Sequence, residues 1–160
     1  MLINKTWLLA VLVIFSLTVC AVTQSDAQQV PPLPDDVKII PPASALRKDI
    51  AAFSGKWIGT IMGIDRSGAT YTFDAILVVE EIHDTWAQVI WSVGGTPMVK
   101  AQYNRKKSEV VSNPIPKIVM DFPKAKLPDM SFEMKDSNTL EATRNWGGGI
   151  TETSTLKRAN

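Results

Sequence analysis

Cysteine and histidine are almost missing from this chain of 160 residues, each occurring once, as Cys20 and His83. Cys20 sits inside an apolar run near the start, so the remainder has no thiol to pair, oxidise or deprotonate. With one histidine and no second thiol, no ordinary zinc or copper site can be assembled, and the expectation is no metal and no cofactor. An excess of either charge is missing too: 17 Lys and Arg stand against 16 Asp and Glu. That balance provides no long-range field for nucleic acid. Apolar runs of bilayer length are also lacking, because the longest, Trp7 to Val22, has sixteen residues where a span needs about 20.

That run follows a short start carrying Lys5 and precedes a polar stretch in which Ser25 and Ala27 are small residues spaced as at a cleavage site. The pattern predicts a signal peptide over residues 1–27, an exported (periplasmic or secreted) protein, and no membrane span in the mature chain. Lipid attachment at Cys20 is the less favoured alternative, since Val19 replaces the small residue that such signals place before the cysteine. Residues 28–43 carry five of the ten prolines and read as a tether, either a plain spacer or a stiff segment that a partner grips. The domain is expected over residues 44–160.

Ser44 to Phe53 has a capping serine, Leu46, Ile50 and Phe53 at helical spacing and Gly55 just beyond, which predicts one short helix. After Gly55 the period changes to two. Eight apolar stretches follow, at 56–63, 71–82, 85–93, 98–105, 117–122, 130–135, 139–145 and 150–157, separated by turn residues. Connections this short require antiparallel neighbours. The polar stretch 106–116 reads as the longest loop. The fold class is therefore all-β, an eight-stranded antiparallel up-and-down barrel, because closure removes both sheet edges.

Alternation places Tyr71, Phe73, Leu77, Val89, Trp91 and, from the fourth strand, Tyr103 toward the interior as candidate ligand-binding residues, with Glu81 at the end of the inward row. The opposite rows hold Thr72, Asp74, Glu80, Gln88 and Ser92, which are expected to face water. They also hold Ile76, Val78, Trp86 and Ile90, which need a cover: the helix or tether in one reading, a partner or second copy in the other.

Phe53, Gly55 and Trp57 form a Phe-x-Gly-x-Trp pattern after the short helix. It resembles the opening of calycin barrels, and the chain is similar to bacterial lipocalin-like domains over about residues 45–160. The resemblance implies that Trp57 closes the barrel base beneath a basic residue of the last strand, Arg158. Independently of that resemblance, a guanidinium on an indole face gains about 0.5–2 kcal/mol. The chain departs from the family in lacking the helical lid of fatty-acid-binding proteins, an Arg-x-Tyr pair on the last strand and a Thr-Asp-Tyr motif, so no ligand type is inherited.

Catalytic patterns are lacking. His83 beside Asp84 reads as a turn residue, no Gly-x-Ser-x-Gly elbow accompanies it, Glu80 and Glu81 alternate in direction, and Gly147 to Gly149 precede a strand. Arg105, Lys106 and Lys107 read as a solvated cluster. The expectation is a non-enzymatic barrel binding a small apolar or amphipathic molecule. The alternative is a protein-interaction or inhibitor-type module using the proline-rich tail or an outer barrel face, since calycin-type protease inhibitors, whose barrel carries a disulfide that this one cannot form, resemble it and would assign residues 28–42 to partner contact.

Overall fold

The computed structural model describes residues 29–64, 70–95, 100–121, 129–147 and 150–159. The expected signal segment lies outside them. Eight strands close into one barrel in sequence order: β1 (Gly55–Ile64), β2 (Thr70–Ile82), β3 (Trp86–Val93), β4 (Gln102–Val111), β5 (Lys117–Met120), β6 (Asp129–Asp136), β7 (Thr139–Gly147) and β8 (Ile150–Arg158). Every neighbouring pair is antiparallel.

Two expectations about elements are corrected. The helix is a single turn, α1 (Lys48–Ala51), with no side chain capping its start. Ser44 stands too far upstream to cap it. The fourth strand begins later and runs further than expected, through Lys106 to Val111, and the loop shrinks to 112–116. Polar residues at 106–109 suggested a loop, but eight register pairs against β3 hold them in the sheet.

The inward rows fuse into one core that includes Trp57, Phe73, Leu77, Val89, Trp91, Met120, Phe132, Leu140 and Leu156, with Ile50 and Phe53 packed at the base. Each such side chain stabilises the fold by about 1.5–3 kcal/mol when fully buried. The ladders are unequal. β1 pairs with β2 over ten positions, whereas β1 with β8 and β4 with β5 pair over three each among the described residues, all near the base. The molecule is thus two four-stranded meanders, joined by two short seams on opposite sides.

Residues 29–43 do not hang free. Gln29 and Gly95 exchange two backbone hydrogen bonds at the end of the barrel remote from Trp57. Ser92 donates to the Pro32 carbonyl at 2.5 Å, the Lys38 N–H donates to Glu80 Oε1, and the Ile40 N–H donates to the Glu80 carbonyl at 2.7 Å. The segment is a strap lying along the outer face of β2–β4. Between its anchors Val78 and Ile90 are fully buried, so this part of the outer apolar row is covered by the chain itself, while Ile76 and Trp86 stay half-buried.

Candidate functional site

At the base, Gly55 takes φ +121°, a left-handed conformation that L side chains avoid, and a Cβ there would lie 3.0 Å from an Arg158 Nη1. That bend starts β1 so that Trp57 is buried at the base and donates Nε1–H to the Phe53 carbonyl at 2.9 Å. The Arg158 guanidinium lies 4.1 Å from the Trp57 ring centroid. It donates to the carbonyls of Ser54, Ala52 and Ser137 at 2.9, 2.5 and 3.2 Å. Burial lowers the Arg158 pKa from its ordinary value, but guanidinium remains charged at any physiological pH. One cation therefore joins α1, β1, β8 and the β6–β7 turn.

In the interior, Phe73, Leu77, Val89 and Trp91 are all buried on the inward faces of β2 and β3, where Leu77 opposes Trp91 and Val79 opposes Val89. The Tyr71 side chain lies outside the described residues. Tyr103 is a correction: it opposes Ser92 rather than Trp91, so it points outward, and it is 44% exposed. The register against β3, which sets Asn104 opposite Trp91, Lys106 opposite Val89 and Ser108 opposite Ala87, gives the inward row to those three residues instead.

Two groups that the sequence did not single out enter here. Phe132 from β6 meets Trp91 with ring centroids 5.3 Å apart, so two aromatic side chains meet across the middle of the barrel. Ser108 is 4% exposed, lies on the inward face opposite Ala87, and its hydroxyl has no hydrogen-bond partner among the described residues. A buried hydroxyl without a partner costs roughly 1–3 kcal/mol. No signal in a single sequence marks such a position, because the signal is the silence of its neighbours.

The glutamates are also rearranged. A bulge between Val79 and Glu81 restarts the pairing at Glu81 opposite Gln88, which turns both Glu80 and Glu81 outward. Glu80, expected in water, is only 6% exposed beneath the strap. It accepts from Arg105 Nε at 2.8 Å and Nη2 at 2.7 Å, and the same guanidinium reaches Asp36 Oδ2 at 2.7 Å. The hydrogen bond from Arg105, reinforced by its charge, lowers the Asp36 pKa below the ordinary 3.8 despite opposing desolvation. Glu81 bonds His83 at 2.8 Å, and His83 stacks on Trp86 with centroids 4.1 Å apart.

Arg144 pairs with Glu152 and donates to the Met62 carbonyl. It reaches β1 where the β1–β8 ladder has stopped. Lys106 does the same at the other seam, donating to the Asp121 carbonyl and to Asp121 Oδ1 at 2.8 Å. Outside the β1–β8 seam, Thr60, Met62, Glu141, Thr153, Ser154 and Thr155 line a shallow groove of about 320 Å³. Among the described residues no cluster of His, Cys, Asp and Glu is placed to hold a metal, and no helix is long and apolar enough to cross a membrane.

The fold defines the class: a closed, eight-stranded, antiparallel β-barrel. No family model and no curated protein matches the chain. Among solved structures it is similar to a redesigned β-barrel, with 14% sequence identity, a TM-score of 0.51, and coverage of 74% of this chain and 100% of that one. At that identity the likeness concerns the barrel fold alone.

Proposed function

We propose that this chain is an exported, non-enzymatic barrel that binds one small apolar or amphipathic molecule in its interior, as a lipocalin-like domain would. Phe73, Leu77, Val89 and Trp91 would supply its apolar wall. The observation that carries the reading is the unpartnered Ser108 hydroxyl facing that interior. A ligand with one polar atom, or an ordered water beside an apolar ligand, would satisfy it. The Trp91–Phe132 contact restricts the molecule to a small one, in keeping with an eight-stranded barrel whose interior is nearly filled by side chains.

Native mass spectrometry of the mature protein before and after solvent extraction tests this reading. A discrete mass excess that disappears on extraction, together with saturable quenching of tryptophan emission on re-addition, is the expected result. Identical masses and no saturable response to any small apolar probe would reject it. The interaction-module reading has less support where it relies on the tail, because Gln29, Pro32, Lys38 and Ile40 spend backbone hydrogen bonds on their own barrel.

A further inference from the structure

We propose that, while the apolar segment Trp7–Val22 is still attached and inserted, the strap holds the barrel end farthest from Trp57 against the lipid bilayer. The inference rests on reading that segment as membrane-inserting, not on the ligand. Its first support is the anchor point. Gln29 is fixed to Gly95 by two backbone hydrogen bonds, N–H to O at 3.2 and 3.1 Å, beyond the end of β3 and so at the far end of the barrel. Only residues 23–28 lie between that anchor and the last residue of the apolar run. The seven Cα-to-Cα steps from Val22 to Gln29 reach at most about 25 Å when fully extended.

Strands of eight to thirteen residues in β1–β4, tilted as a barrel requires, make the wall about 25 Å tall. Placing the base on the bilayer would consume the whole reach of the link, whereas placing the far end there requires almost none of it. Charge does not oppose this arrangement, because residues 23–30 carry Asp26 alone.

The surface at the far end fits a lipid interface. Val30 is 76% exposed, Met62 61% and Tyr103 44%, and the outer rows place all three toward that end. Apolar side chains with a tyrosine among them suit the headgroup boundary. The base has its own exposed apolar residues, Ile39, Ile40 and Ile115, so exposure by itself does not choose an end. The anchor at Gly95 does.

The test uses the full chain with Cys20→Ser, synthesised without cells into phosphatidylcholine vesicles that contain no peptidase. Single cysteines for a fluorophore are placed by Met62→Cys at the far end or Ser137→Cys at the base turn. Brominated lipids should quench the Met62 probe several-fold more than the Ser137 probe. A Gly/Ser insertion of about 20 residues after Gln24, outside the folded part, lengthens the link and should bring the two probes together. Tryptophan emission and thermal melting verify that each variant is folded. Equal quenching in the parent, stronger quenching at Ser137, a bias unaffected by the insertion, or failure to associate with vesicles would each overturn the proposal. The readout is independent of whether a ligand is found in the barrel.

Discussion

Arg158 and Trp57 carry more of the fold than their two positions suggest. The Arg158→Met variant removes three carbonyl contacts and the stacked cation, and is expected to destabilise by about 3 kcal/mol in denaturant unfolding. Arg158→Lys keeps a charge but not the fork, and should recover less than half of the loss. Gly59→Ala acts at the same seam for a different reason: its Cβ would stand 2.3 Å from the Thr155 carbonyl oxygen, so β1 and β8 must part, at a cost of about 2 kcal/mol. Ser108→Ala works in the opposite direction, since removing an orphaned hydroxyl should raise the melting point of the ligand-free protein. If Ser108 meets the ligand, the same variant weakens binding, and calorimetry separates the two effects. The Phe-x-Gly-x-Trp spacing and a terminal arginine were readable in the sequence because they are local. Ser108 was not, because its significance depends on what the neighbouring strands β3 and β5 and the interior fail to offer it.

The strap is the element whose role the sequence left open. Its prolines marked it as extended, and the outer apolar row of β2 and β3 asked for a cover that this segment was one candidate to supply; what the sequence did not show is that Glu80, on the same outer face, would be buried beneath it with Lys38 and Arg105. A tally of alternation missed the bulge by one residue, and with it the direction of Glu81. Glu80→Gln leaves Arg105 beside a neutral amide at a site 6% exposed, and should cost about 1–3 kcal/mol. Its signature in hydrogen exchange is faster exchange at the Lys38 and Ile40 amides with the base unchanged. Acid should act on the same element through Asp36. Its native pKa is depressed, so the stability it contributes is complete above the ordinary aspartate range. That stability is lost as pH falls through the lower native value. The strap amides should lose protection in that window, and Asp36→Asn should remove this part of the acid response.

For the whole molecule, period two and short turns were enough to predict eight antiparallel strands, and the structure closes them in that order. The inequality of the ladders was not readable, because a polar strand such as 106–109 and the place where pairing stops are decided by strand tilt rather than by residue type. That inequality makes the two seams the weak lines of the barrel, and beyond its last register pair each is bridged by a cation, Arg144 or Lys106, that reaches a carbonyl across it. Arg144 is 12% exposed and its partner Glu152 22%, so Arg144→Met strands a mostly buried carboxylate and frees the Met62 carbonyl. The loss should be about 3 kcal/mol, with most of it recovered in the double variant Arg144→Met, Glu152→Met, where neither charge is left alone. Hydrogen exchange gives the spatial check. In the single variant the amides of Met62 and Thr153 should exchange faster while those of Trp57 and Arg158, in the paired part of the same seam, keep their protection. Uniform loss along β1 would mean instead that the barrel opens as one cooperative unit, and that the two meanders have no independence at the seam.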